Sequence, residues 1–171
     1  MIKGELSPEG EGAQTYRRRS PHAAIDAVSK RIIEMLQVDG RRPFSSIAAE
    51  LDVDEDAVAH RVKELSDTGV IQITAVSDPL QLGFARQAML GITVEHGSEK
   101  TVAERLSQIH EVVYVVITAG GFDILCEVVG TSDAHLLELV TSRIKPTPGV
   151  TAIHTFLYLE LQKQTYTWGV R

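Results

Sequence analysis

The chain has 171 residues, 43% of them hydrophobic, with 17 Lys and Arg against 23 Asp and Glu and a formal net charge of −6. That apolar share supports packed cores and excludes global disorder, and the length suits one ordinary domain or two small ones. No apolar run approaches the roughly 18 residues of a membrane helix, the opening MIKGELSPEGEG has no apolar leader core, and the single Cys126 has no internal disulfide partner, so a cytoplasmic protein without membrane contact or cofactor is expected.

The charge is not that of an evident nucleic-acid binder. Residues 1–78 carry 10 Lys and Arg against 14 Asp and Glu, and residues 79–171 carry 7 against 9. Any nucleic-acid contact must therefore come from local placement of basic groups, helped by oligomerisation.

Residues 1–22 hold Gly4, Pro8, Gly10, Gly12 and Pro21 without apolar periodicity and read as a tail. Arg17, Arg18 and Arg19 stand together in it, either as a solvated charge run or as a basic arm on phosphates. A three-helix unit is expected over residues 23–72. In its first helix Val28, Ile32, Ile33 and Leu36 repeat at about 3.6 residues, with Asp26 as N-cap and Gly40 as a left-handed stop. The second helix follows Pro43 and buries Phe44, Ile47, Ala48 and Leu51. The third follows Asp54, buries Val58, Val62 and Leu65, and stops at Gly69. The β-branched segment from Val70 to Val76 reads as a strand or wing, and Asp78-Pro79 then breaks the chain within a linker over residues 73–85.

The last two of these helices, joined by Leu51-Asp52-Val53-Asp54, have the pattern of a helix-turn-helix whose third helix enters a major groove. Asp56, Ala59, His60 and Lys63 then lie opposite its buried stripe and face base edges or phosphates of double-stranded DNA. Ser45 and Ser46 open the second helix, where hydroxyls and N–H groups suit a phosphate, and Arg41 and Arg42 add charge just before it. A bare three-helix packing unit has the same periodicity. Asp54, Glu55 and Asp56 favour that reading because they repel phosphates, although acids also suit a helix N-terminus and can accept from cytosine amino groups.

The second half, residues 86–165, alternates as strand (Met89 to Val94), helix (Val102, Leu106, Ile109), strand (Val112 to Thr118), strand (Phe122 to Val129), helix (Leu136, Leu137, Val140, Ile144) and strand (Val150 to Leu161). This β-α-β-β-α-β order predicts a ferredoxin-like domain, with two helices on one face of a four-stranded antiparallel sheet. The fold class is α+β, with a three-helix, winged helix-turn-helix ahead of that domain. The other sheet face needs cover, which a second subunit supplies most simply. Between the second and third strands, Gly120-Gly121 admits close approach of a ligand. Asp123 could pair with an ammonium group beside N–H donors for a carboxylate. A tight hairpin with a capping Asp explains the same residues. His96, His110, His135 and His154 have no metal spacing, and Cys126 reads as core. Tyr166 and Trp168 fall in a short C-terminal tail, residues 166–171.

Several motifs, in order and at matching spacing, resemble the leucine-responsive/asparagine (Lrp/AsnC) regulator family. Leu36 to Arg41 looks like the end of its first helix. Ile47-Ala48, Arg61 to Leu65 and Gly69-Val70-Ile71 resemble its helix-turn-helix. Asp78 to Gly83 is similar to its linker, Val113 to Asp123 to its strand-turn-strand, and Pro148-Gly149-Val150 to the approach to its last strand. The likeness runs from about residue 25 to 163. It implies a sequence-specific transcription regulator, not an enzyme, assembled as a homodimer or higher homo-oligomer. It also implies an effector pocket between subunits, typically for an amino acid, at Ala119, Gly120, Gly121, Phe122 and Asp123. The chain departs from the family pattern at Asp52 (usually Gly), at Pro43 and Asp54 (usually Ser or Thr), at Glu111 (often Pro), and at Ala59 and His60 (often Arg). Two alternatives stand beside this reading: a siroheme-decarboxylase-like enzyme on the same scaffold, and a sensor whose DNA reader has decayed.

Overall fold

The computed structural model describes residues 25–165. The arginine-bearing tail and the segment from Tyr166 onward lie outside them. The described chain forms two compact units, one of residues 25–76 together with 162–165 and the other of residues 77–161.

The first unit contains α1 (Ala27–Val38), α2 (Phe44–Leu51) and α3 (Glu55–Asp67). Ile32, Met35, Leu36, Ile47, Ala48, Val58 and Val62 form one core, with Val28, Phe44 and Leu51 packed around it. The expected apolar stripes are therefore the buried ones. Asp26 caps α1 as expected, accepting the Ser29 N–H at 2.7 Å. The end of α1 is built differently. Gly40 is not among the residues with positive φ. Instead the Asp39 carboxylate accepts the Arg41 N–H at 2.9 Å, a side chain standing in for a backbone turn. Pro43 occupies the N-cap of α2, and Asp54 that of α3, but Asp54 makes no side-chain capping bond.

The α2–α3 turn depends on one residue. Asp52 has φ 54° and ψ 49°, the only left-handed non-glycine among the described residues. Its short polar side chain tolerates that region where a branched one would not. Gly69, at φ 69°, closes α3 as expected. There the Val70 N–H donates to the Leu65 carbonyl at 2.8 Å, which satisfies a carbonyl that the helix leaves open.

The strand expected over residues 70–76 does not form. Ile73 and Val76 are exposed and no described strand pairs with the segment. β-branched residues fit a pleated surface, but a strand also needs a neighbouring backbone to bond. The fold class keeps its helix-turn-helix without an in-chain wing. Pro79–Leu82 then makes a single 3-10 turn.

The second unit runs β1 (Arg86–Val94), α4 (Glu99–Leu106), β2 (Val112–Ile117), β3 (Ile124–Gly130), α5 (Asp133–Glu138) and β4 (Val150–Leu157). The sheet order is β2-β3-β1-β4, with every pair antiparallel, as the ferredoxin-like expectation requires. Boundaries shift: β1 starts at Arg86 rather than Met89, and β4 ends at Leu157 rather than Leu161. The second helix changes to π geometry over Leu139–Ile144. Ala88, Leu90, Ile92, Ile124, Cys126 and Val128 meet Val102, Leu106, Leu136, Leu139 and Ile144 in one core. Both helices therefore cover the same sheet face. One guanidinium nitrogen of Arg143 donates to both carboxylate oxygens of Glu111, at 2.9 and 2.8 Å, and ties the turn before β2 to the second helical segment.

The opposite face is set by register. Met89 pairs with Phe156 and Gly91 with His154, while Tyr114 sits opposite Glu127. Tyr114 and Phe156 are each half exposed, so this face carries uncovered aromatic surface.

Candidate functional site

On α3, Val58, Val62 and Leu65 are buried, while Asp56, His60 and Lys63 are exposed. Ala59 is half-buried, so it presents less to solvent than its neighbours. Ser45 and Ser46 are exposed in the first turn of α2, where the Ser46 N–H donates to the Pro43 carbonyl at 3.0 Å. Arg41 is exposed, and Arg42 is held by Glu50 at 2.5 Å.

Four cations of the three-helix unit, Arg31, Arg42, Arg61 and Lys63, are engaged with acids. Lys63 Nζ lies 2.5 Å from Asp67, one turn along the same helix. Arg31 meets Glu34 at 2.5 Å. Arg61 binds Asp26 at 2.5 Å and the Ser29 hydroxyl at 3.0 Å, tying α3 to the start of α1. The Ser29 amide and the Arg61 guanidinium hold the Asp26 carboxyl down at about 2, because both favour its charged form. Arg61 is thus a structural clasp, a role that sequence reasoning missed. The signal available was its place one residue before the buried Val62, which leaves it half-buried rather than outward.

The turn from Thr118 to Asp123 is closed by its own bonds. The Thr118 N–H donates to the Asp123 carbonyl at 2.8 Å, and the Thr118 hydroxyl to the Phe122 carbonyl at 2.5 Å. The Asp123 N–H reaches the Ile92 carbonyl at 3.0 Å, and its carboxylate accepts the Val94 N–H at 2.9 Å. Asp123 therefore pins the turn to the end of β1. Ala119, Gly120 and Gly121 are exposed, and a Cβ built on either glycine would meet nothing within 4 Å. Neither glycine has positive φ, so neither is required by left-handed backbone. Phe122 folds back from the turn over the sheet, against His154 and Phe156.

The other titratable groups are dispersed. Among the described residues no three His, Cys, Asp or Glu side chains gather as a metal site. Cys126 is fully buried, and burial pushes its thiol up to about 12, far from the range of a reactive thiolate. Burial and the neighbouring Glu127 push the Tyr158 hydroxyl up to about 12 as well. One groove of about 270 Å³ lies between the start of α4 and Pro148-Gly149. Another of about 260 Å³ runs along Leu136, Leu137, Val140 and Leu157. Neither reaches the Gly120–Asp123 turn. No described helix is long and apolar enough to cross a membrane.

A three-helix unit ahead of a ferredoxin-like sheet with one face uncovered defines a two-domain protein of the helix-turn-helix class. Comparison with known proteins makes the class specific. Residues 25–66 match the AsnC-type helix-turn-helix domain, and residues 85–171 match the AsnC-type C-terminal dimeric alpha+beta barrel domain. The HTH-type transcriptional regulator FL11 of Pyrococcus horikoshii is 32% identical over 142 residues, covering 82% of this chain and 93% of its own length. The structure of Escherichia coli AsnC aligns with TM-score 0.77 at 20% identity, over 85% of this chain and 99% of that one. A Neisseria meningitidis transcriptional regulator solved with L-Met aligns with TM-score 0.73 at 20% identity, over 82% and 94%. At that identity the two structures establish the fold. The chain belongs to the Lrp/AsnC family of helix-turn-helix transcriptional regulators.

Proposed function

We propose that this regulator binds operator DNA with the outward row of α3, pairs through the uncovered sheet face, and answers to an amino acid held at the 119–123 turn. The observation that carries the reading is the clean division of α3. Val58, Val62 and Leu65 are buried while Asp56, His60 and Lys63 are exposed, with Ser45 and Ser46 exposed at the start of α2. That leaves one polar face for a groove. Lys63, Arg41, Arg42, Ser45 and Ser46 serve phosphates. Asp56 and His60 serve base edges, and Ala59 lets the backbone come close.

Pairing rests on the half-exposed Tyr114 and Phe156 on one sheet face, and on the dimeric character of the matched domain. The effector rests on chemistry. A zwitterion needs an acceptor for its ammonium and donors for its carboxylate. Asp123 has one oxygen on Val94, which leaves the other for an ammonium, and the glycine stretch is open for a carboxylate. The open turn needs a second wall, which a partner subunit supplies, so ligand and assembly are linked. The Neisseria regulator with L-Met supports an amino acid as the ligand class. The protein acts in the cytoplasm as a non-enzymatic regulator.

The test uses purified protein and DNA upstream of its own reading frame, titrated by fluorescence anisotropy with and without each amino acid. The His60→Ala, Lys63→Glu double variant should lose operator binding with oligomer size unchanged. Equal affinity in variant and parent refutes the reader. Asp123→Ala should bind the effector roughly ten- to hundredfold more weakly, the loss of one charge-assisted hydrogen bond of about 1.5–3 kcal/mol. Undiminished ligand affinity places the pocket elsewhere.

A further inference from the structure

Gly91 lies in the middle of β1, on the face turned away from the helices, with Leu125 and His154 as its neighbours across the sheet. It is buried, and the Phe122 ring lies directly over it. A Cβ built on Gly91 would come 2.7 Å from Cγ, Cδ2 and Cε2 of Phe122, which no real contact permits. The missing side chain is therefore a notch, and the Phe122 ring lies in it. The ring centroid stands 5.3 Å from that of His154 and 6.0 Å from that of Phe156, the latter edge-on at 72°. Such separations and tilts are those that aromatic pairs prefer. The backbone of Phe122 belongs to the turn: its carbonyl accepts the Thr118 hydroxyl, and the next residue is bonded twice to β1. One residue thus has its backbone in the 119–123 turn and its ring on the sheet face that carries the exposed Phe156 and Tyr114.

We infer that Phe122, seated in the Gly91 notch, is the positioning residue that couples the turn to the subunit-pairing face. The inference rests on the reading of that turn and that face given above, and adds the mechanical link between them. Pairing presses the ring into the notch and thereby orders the turn. A ligand that shifts the turn moves the ring, and with it the surface offered to the partner. Coupling of this kind is reciprocal, so subunit pairing must itself tighten the turn with no ligand present. Gly91 sets the depth of the seat. Any side chain there lifts the ring from the sheet and disconnects the two surfaces.

That reciprocity allows a test on the full chain without an effector. Amide hydrogen exchange is read at Val94, Thr118 and Asp123, alongside sedimentation to measure pairing. Tyr114→Asp, on the same face but two strands away from the notch, supplies an unpaired reference. In the paired parent the three amides should exchange about tenfold or more slowly than in Tyr114→Asp. Phe122→Ala should weaken pairing by about tenfold or more, as loss of an aromatic anchor does. At concentrations where it still pairs, its turn should exchange as fast as the unpaired reference. Gly91→Ala should behave like Phe122→Ala, and the double variant no worse than either alone, because both remove one contact. If Gly91→Ala fails to fold, Phe122→Ala carries the test by itself. Equal turn exchange in paired and unpaired protein overturns the inference and leaves the pairing reading intact. So does a Phe122→Ala protein whose turn still tightens on pairing. A Tyr114→Asp protein that pairs as the parent does removes the pairing face itself, and this inference falls with it.

Discussion

Replacing Lys63 with Gln tests whether α3 places a cation on a DNA phosphate. In the free protein Lys63 is largely exposed and lies 2.5 Å from Asp67. An exposed pair of this kind is worth about 0–1 kcal/mol, so exchanging Asp67 for a phosphate costs little. Each phosphate contact releases counterions and contributes about −0.9 to the slope of log affinity against log salt. Two readers in a dimer make that about −1.8 from this residue alone. Between 50 and 200 mM salt, the parent should therefore lose roughly twelvefold more affinity than Lys63→Gln. Glutamine keeps helix propensity and length, so folding is not confounded. Anisotropy titrations of one operator fragment across that salt range give both slopes. Parallel lines for parent and variant would refute the placement of Lys63 on a phosphate, whatever the change in affinity at one salt. Arg61→Ala is the control: its guanidinium is committed to Asp26 and Ser29, so the slope should hold while the first unit melts earlier.

Asp26 makes the first unit acid-sensitive in a defined window. Its carboxyl titrates at about 2 in the folded chain against an ordinary 3.8. A depressed folded value means that its contribution is complete above about pH 4 and is lost as pH falls toward 2. Circular dichroism of Asp26→Asn should show lower stability than the parent at pH 7 and a flatter response between pH 4 and 2; a gap that persists at pH 2 would contradict this. Asp52 tests the turn, because its φ is 54°. Gly and Asp tolerate that region, but a branched residue is strained in it. Asp52→Val should cost about 1–2 kcal/mol and Asp52→Gly should stay within about 1 kcal/mol of the parent. Equal melting of the two variants would show that the turn relaxes.

Much of this molecule is legible from residue order. The stripes Ile32-Leu36, Ile47-Ala48 and Val58-Val62-Leu65 are buried as their spacing demands, because a helix presents every third or fourth residue to one side. The β-α-β-β-α-β order was equally legible, and with it the antiparallel sheet. The misreadings occur where local propensity meets a nonlocal requirement. Residues Val70 to Val76 have strand composition but no described strand beside them, and composition cannot supply a hydrogen-bonding partner. Gly40 has the composition of a helix stop, yet the Asp39 side chain closes that turn first.

The candidate sites divide the same way. Most of the outward row of α3 follows from periodicity, although Ala59 is half-buried, and the core position of Cys126 on β3 follows from its residue type. What a polar or aromatic residue touches does not follow. Arg61 reads as one more residue of a family motif until packing sets it 2.5 Å from Asp26, which precedes it by 35 residues. Asp123 reads as a ligand acceptor, and only the fold shows that one of its oxygens is already taken by the Val94 N–H. Phe122 reads as one residue of an effector turn, and only the fold shows Gly91 beneath its ring. Periodicity is a property of neighbours along the chain, so sequence determined the helices, the strand order and the buried faces. Pairing between distant residues is set by how those faces dock, so only the tertiary structure decided which side chains are committed and which remain for a partner.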